Sequence, residues 1–428
     1  MADGARSDHP GVQEELNRLA RLSSGGDRLG LERIEASMGR LGRPQDLFPA
    51  VFHVAGTNGK GSTCAFLRAA LEAAGHQVHV FTSPHLIRFN ERIRLAGKLI
   101  EDEPLADLLS EVLDASDGIE PSFFEVTSAA AMLAFARTPA DALVLEVGMG
   151  GRLDATNVIE RPLVTGIASL GLDHQQWLGP ALSDIAGEKA GIAKHDVPLV
   201  TLHYDGNAAD RIGQVAAERG APWFPLGSDW ELLSGPNGLQ YRDEQGELLL
   251  PPPRLAGAHQ QLNAGLAVAM LRHQDRLDVD ERALRASMES VQWPARLQCL
   301  ADGPLAMGRE VWLDGGHNAA AAEALAMAMR PHAPLTLIAG CLRTKDAEGL
   351  LSPFLGLARE VLTVPVPDQD CYVPSELSDI AQALGFQSTP FSSIKAAVDH
   401  ASNDRPSLIA GSLYLAGEVL RLNGETVT

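Results

Sequence analysis

The segment HVAGTNGKGST, from His53 to Thr63, carries the residues whose chemistry is easiest to read. Glycines at 56, 59 and 61 let backbone N–H groups turn inward around phosphate oxygens. Lys60 adds a full positive charge, and Ser62 or Thr63 can offer a hydroxyl to Mg²⁺. A helix starting at this point would contribute its unsatisfied N–H groups and partial positive charge. The spacing departs from the common pattern G-x-x-x-x-G-K followed by Ser or Thr. Val54 stands where the first glycine would be, and Gly61 separates Lys60 from its hydroxyl partner. A plain glycine-rich turn with a surface lysine would explain the glycines alone. Strand, glycines, lysine, paired hydroxyls and helix together point to a nucleotide-phosphate loop of variant type.

Further polar residues follow apolar runs. Thr82-Ser83-Pro84-His85 closes one run, Glu146 closes Ala-Leu-Val-Leu, and Asp173-His174 follows a third. A carboxylate that ends a buried strand needs a cation or donors, so Glu146 is a metal-ligand candidate, the alternative being a salt-bridged structural glutamate. A lone histidine such as His174 would cap a turn or sit satisfied in the core, but its position at the strand-end edge favours a site role; Ser-Pro often merely begins a turn. In the glycine-rich loop from Gly148 to Asn157, Arg152 and Asp154 could meet polar substrate groups or simply pair with each other. Gly187 and Gly191 fall on one helical face and invite close approach. By spacing alone, Lys189 between them reads as a surface helix lysine. Asp314 and His317 follow another apolar run, where His317 could serve a ligand or cap a turn.

The elements that must position these groups are legible as alternating runs. Strands are expected at 51–55, 78–82, 142–147, 163–169 and 197–202. A helix is expected at 62–74, stopped by Gly75, with another near 11–24 and one begun at Ser183. Near-continuous apolar strands between helices imply a parallel sheet covered on both faces, and ligands gather beyond the strands' C-terminal ends. Residues 203–255 read as irregular, with short antiparallel strands at 230–233 and 248–250, before a helix at 257–272. Beyond 293 a second alternation has strands at 311–314, 335–339, 361–364 and 408–410, with helices at 319–329 and 376–384. The fold class is α/β: an N-terminal parallel-sheet ATPase domain of P-loop type over 1–295, and a smaller C-terminal Rossmann-like α/β domain over 296–428.

Composition narrows the function classes. The 428 residues are 45% hydrophobic and 21% charged, ordinary for a globular enzyme of two or three domains. The formal charge of -20 disfavours nucleic acid and anionic membranes as partners. Cys64, Cys299, Cys341 and Cys371 are scattered, without zinc-ligand spacing. The polar N-terminus and the lack of a long apolar stretch point to the cytoplasm.

Taken together, these segments resemble the dihydrofolate synthase/folylpolyglutamate synthase family, within the Mur-ligase group of ATP-dependent amide-forming ligases. The resemblance rests on His53 to Ser62, Thr82 to Leu86 with Asn90 to Ile93, Gly150 to Asn157, Glu188 to Ile192 and Asp314 to Asn318. It implies that MgATP drives ligation of L-glutamate to dihydropteroate and/or a (tetrahydro)folate polyglutamate through an acyl phosphate, with K⁺ a possible further cation. Nucleotide contacts would fall on Asn58, Gly59, Lys60, Gly61, Ser62, Asn263, Arg296 and Asp314. Metal ligands would be Ser83, Glu146 and His174, assisted by a carbamylated Lys189. Pterin contacts would fall on Ser122, Phe123, Phe124, Glu125, Leu153, Asp154 and Ala155. His317 and Ser412 would bind the incoming glutamate, with Lys60, Lys189 and His317 acting in catalysis. Residues 1–295 would form the ATP-binding domain, 296–428 the glutamate-ligase domain, in a monomer. Two mild departures are Ala295 before the linker arginine, where the family commonly has Gly, and Leu413 after Ser412, where it often has Phe. The rival readings are another Mur-type amino-acid ligase and a non-catalytic paralogue that binds nucleotide and folate.

Overall fold

In the computed structural model, residues 5–22, 29–235 and 237–427 are described. The chain forms two compact units, one from Met1–Arg254 with Gln260–Gln292, the other from Leu255–His259 with Trp293–Val427. Ala256 packs on the second unit's core, so that short segment goes with it although it lies far from 296 in sequence.

The first unit contains α1 (Pro10–Leu22), α2 (Glu32–Arg40), β1 (Ala50–Ala55), α3 (Lys60–Ala73), β2 (Val78–Phe81), β3 (Ile93–Leu95) and β4 (Lys98–Leu99). It continues with α4 (Asp102–Ala115), α5 (Phe123–Arg137), β5 (Ala142–Glu146), β6 (Val164–Ile167), α6 (Gln175–Leu178), α7 (Leu182–Ala190), β7 (Leu199–Thr201), α8 (Gly206–Arg219) and β8 (Trp223–Pro225). Among the described residues these strands make an eight-stranded sheet in the order β4-β3-β2-β5-β1-β6-β7-β8. The strands from β2 to β8 along that order pair in parallel, whereas β3 and β4 add an antiparallel edge. Every residue of β1 and β5 is buried, as a sheet with both faces covered requires. Helix α5 is apolar nearly all round and lies inside a large core cluster that also holds Phe89, Ile93 and Leu109.

The five strands expected in this unit are present within two residues of their expected ends; the first helix is described as far as Leu22, and residues 23 and 24 of its expected span lie outside the described residues. The edge strands β3, β4 and β8 were not foreseen, being too short to show an apolar run. A separate antiparallel sheet holds β9 (Trp230–Gly235), β10 (Gly238–Asp243) and β11 (Gly246–Leu250). Its central strand was also missed, although Leu239 and Tyr241 alternate inward along it and Tyr241 stacks on Trp230. Helices α9 (Ala258–Arg272) and α10 (Glu281–Ser290) follow.

The second unit runs β12 (Gln298–Cys299), β13 (Val311–Leu313), α11 (Ala319–Met329), β14 (Leu335–Ala339), α12 (Ala347–Leu351), β15 (Ala358–Thr363), α13 (Pro374–Ala383), β16 (Ser388–Pro390), α14 (Ile394–His400), β17 (Ser407–Ala410) and α15 (Leu413–Leu422). Its strand order is β12-β13-β17-β14-β15-β16, parallel except for β12. The loops after β13 and β17 therefore leave neighbouring strands at the same edge, which is where ligands of such sheets bind.

Candidate active site

The phosphate loop is built on β1, clamped between β5 and β6. Past Ala55 the loop is braced by the exit of β6. The N–H groups of Thr57 and Asn58 both donate to Ser169 O, at 2.8 and 3.1 Å, and Thr57 Oγ1 bonds both the carbonyl and the N–H of Gly171. Gly59 caps α3 at φ +83°, and a Cβ there would lie 2.2 Å from Asn263 Oδ1, so both conformation and space demand glycine. Lys60 Nζ donates to Thr57 O at 3.3 Å. The hydroxyls of Ser62 and Thr63 are fully buried and find no hydrogen-bond partner among the described residues. Buried hydroxyls seldom stay orphaned, and a phosphate oxygen or a cation would satisfy this pair.

Glu146 ends β5 opposite Val54, one strand over from the phosphate loop, and is buried. Its Oε2 accepts from the Ser83 N–H at 3.1 Å, which joins two of the expected metal ligands. Cys64 feels both Glu146 and Lys60; burial, then Glu146, pushes its thiol pKa up. His174 stands on the loop after β6, half-exposed, with its ring 3.9 Å from Asp173 and its backbone at φ +52°. Left-handed backbone is costly for histidine and persists where the surroundings over-determine it, often at functional sites. Among the described residues no three of His, Cys, Asp and Glu converge as a metal cluster. A divalent ion here would instead depend on Glu146, the serine hydroxyls and the phosphate oxygens, donors that suit Mg²⁺.

Lys189 overturns the surface-lysine expectation. It is buried, and its Nζ donates to Gly56 O at 2.9 Å, on the phosphate loop itself. Burial foremost, then the charge of Lys60, lowers its pKa to about 7 against the opposing pull of Asp173 and Asp154. The flanking glycines serve close packing: a Cβ on Gly191 would meet Arg152 Cβ at 2.3 Å, and one on Gly187 would meet Arg211 Nε at 2.7 Å.

Several expected pterin contacts have their side chains committed elsewhere. Arg152 pairs with Glu188 at 2.9 Å, not with Asp154. Asp154 is buried, and its carboxylate accepts from Met149 N, Thr156 N and Thr156 Oγ1. Ser122 and Glu125 form a capping box at the start of α5, and Glu125 also pairs with Arg33 at 3.0 Å. Phe123 is a core residue, edge-on to Phe89 with the Arg92 guanidinium over its ring. Phe124 covers Gly148 so closely that a Cβ there would lie 2.4 Å from its ring, and it packs with buried Ala155 in one cluster. Leu153 is half-buried. Backbone groups, Phe124 and Leu153 are therefore what this region offers an aromatic acceptor. His53, fully buried on β1, was not among the expected site residues; its Nε2 lies 2.8 Å from Thr156 Oγ1. A histidine inside an otherwise apolar strand was the available signal.

In the second unit Asp314 follows β13 and organises the turn. Its oxygens accept from Leu297 N at 2.7 Å and Gly316 N at 2.6 Å. Arg296 donates to Ala295 O at 2.9 Å and lies against Gly315, where a Cβ would come 2.8 Å from its Nη1. Gly411 N–H donates to Gly316 O at 3.0 Å, which draws the two loops of this edge together. His317 is half-buried on the first of them, with Nδ1 3.3 Å from Gly315 O. Ser412 is buried on the second, its hydroxyl accepting from Tyr414 N as the cap of α15.

This constellation has known relatives. The chain is 34% identical over 418 residues to the dihydrofolate synthase/folylpolyglutamate synthase of Bacillus subtilis, covering 92% of this chain and 95% of that one. The chain belongs to the dihydrofolate synthase/folylpolyglutamate synthase family. Members of this family are ATP-dependent ligases. The Escherichia coli protein of the same name is 33% identical over 415 residues, covering 95% of this chain and 94% of its own. Residues 306–422 match the family model described as dihydrofolate synthetase, C-terminal domain. Among solved structures, E. coli FolC in complex with DHPP and ADP superposes with TM-score 0.88 at 32% identity, covering 96% of this chain and 97% of that one. Mycobacterium tuberculosis folylpolyglutamate synthase complexed with ADP gives 0.86 at 29%, covering 97% and 100%.

Proposed function

We propose that this family member activates the carboxylate of dihydropteroate, and of tetrahydrofolate and its glutamylated forms, as an acyl phosphate, and joins it to the amine of L-glutamate. The observation that carries the reading is the orphaned hydroxyl pair Ser62/Thr63 beneath a loop that also holds Lys60 and approaches Glu146. Asn58 to Ser62 and Asn263 would bind the nucleotide in the first unit; for Arg296 and Asp314, in the second unit, nucleotide contact stays what the family resemblance implies. Lys60 would offset the charge that builds as the terminal phosphoryl group moves to the acceptor carboxylate. Ser62, Ser83, Glu146 and His174 would hold a divalent cation, which supplies further neutralisation of that charge. Lys189, with its pKa lowered to about 7, has a substantial neutral fraction at that pH and can add CO₂ to become a carbamate with loss of a proton, giving one more anionic oxygen donor beside Gly56. His317 and Ser412 would orient the incoming glutamate, whose amine attacks the acyl carbon and expels phosphate. The protein would act as a monomer in the cytoplasm; among the described residues no helix is long and apolar enough to cross a membrane. The test is Lys60→Ala, expected to abolish ADP formation while leaving the circular-dichroism spectrum unchanged. Near-normal turnover would overturn the phosphate-loop assignment.

A further inference from the structure

The buried His53 belongs to a hydrogen-bonded chain outside the chemistry described so far. His53 Nε2 is 2.8 Å from Thr156 Oγ1, and Thr156 Oγ1 is 2.5 Å from Asp154 Oδ1. The other Asp154 oxygen accepts from Met149 N at 2.8 Å. A threonine hydroxyl has one proton to give, and a carboxylate accepts only, so the proton points to Asp154. The threonine lone pair must then accept from His53, which fixes the Nε2–H tautomer. All three side chains are buried, so each donor has no water to turn to. Burial works against the Asp154 carboxylate, and Thr156 is among the donors that counter it.

The two ends of this chain sit in different functional loops. His53 lies on β1, just before Gly56 opens the phosphate loop. Asp154 ties Met149 and Thr156 together and so sets the shape of the loop bearing Leu153 and Ala155. We propose that His53, Thr156 and Asp154 form a positioning relay that hangs the acceptor-binding loop on the phosphate-loop strand and thereby sets affinity for the pterin acceptor. Thr156 and His53 touch no substrate in this scheme; they act through the loop. The inference rests on the assignment of Leu153 to Ala155 to the acceptor.

Steady-state kinetics of the full chain test it, with dihydropteroate, MgATP and L-glutamate varied in turn. Thr156→Val removes the hydroxyl at nearly constant volume and should raise the KM for dihydropteroate about tenfold or more, with the KM for MgATP within about twofold. Thr156→Ser keeps the hydroxyl and should restore the acceptor KM. His53→Gln, whose amide N–H can replace the Nε2–H, should stay near wild type, whereas His53→Leu should reproduce Thr156→Val; this pair carries the test if Thr156→Val does not fold. Leu153→Ala, measured alongside, should also raise the acceptor KM. If Leu153→Ala does so while Thr156→Val and His53→Leu behave as wild type, the relay is overturned and the loop assignment stands. If none of them alters the acceptor KM, the loop assignment falls and takes the relay with it. Equal losses toward acceptor and MgATP that serine does not rescue would reduce the chain to general stability and also overturn the relay.

Discussion

Lys189 lies in a dry setting against Gly56 O with the charge of Lys60 nearby, so much of it is unprotonated near pH 7. Only the neutral amine adds CO₂. Carbamate should therefore be present above about pH 7 and fade as pH falls through that value. Nuclear magnetic resonance with ¹³C-bicarbonate should show one carbamate signal that is absent from Lys189→Ala and lost below that pH. In the unmodified chain the unfolded lysine stays protonated up to its ordinary value, so folding stability gains from this group as pH rises from about 7 toward 10.5. At Gly59 the constraint is steric. Gly59→Ala adds a methyl within 2.2 Å of Asn263 Oδ1 at φ +83°, and should cost about 1–3 kcal/mol of stability and at least about tenfold in ADP affinity. Thermal unfolding and nucleotide titration would read the two effects separately.

The elements that hold these residues were legible where hydrophobicity alone decides structure. β1, β5 and β14 lie close to where their apolar runs predict, because fully buried strands announce themselves by composition; α11, buried along one face only, was legible from its alanine-rich run of helix formers. β10 was hidden because Gly238, Gln240 and Arg242 dilute its inward Leu239 and Tyr241. β12 and β16 were hidden by being short edges. The tight glycine-rich turn after β1 could be read directly, since its backbone demands are written as residue types. Burial of Lys189 could not, because it depends on which face a helix turns inward. The Ser122–Glu125 capping box and the bonds of Asp154 to Met149 and Thr156 are local, and the first was written in the sequence as Ser-x-x-Glu before an apolar run but was overlooked. Asp314 shows how such partners shape an element's end. Asp314→Ala leaves the N–H groups of Leu297 and Gly316 without their acceptor, and each orphan costs about 1–3 kcal/mol when buried. The variant should melt earlier and bind ATP more weakly, as calorimetry and nucleotide titration would show.

For the whole molecule, a net charge of -20 opposes substrates that are themselves anionic, while local cations such as Lys60 and Arg296 attract them. Raising ionic strength from about 0.01 to 0.1 M shortens the screening length from about 30 to 10 Å, which weakens the distant repulsion more than the contacts inside the site. kcat/KM for the acceptor should therefore rise over that range in a salt titration. The central claim concerns what the molecule joins to what, and it is tested most directly by ADP release from the purified protein with MgATP and L-glutamate. Dihydropteroate, tetrahydrofolate and no pterin would be compared, with the products weighed by mass spectrometry. The expected result is stimulation by both pterins, each gaining glutamate. ATP-binding protein that releases no more ADP with either pterin than without would contradict the account.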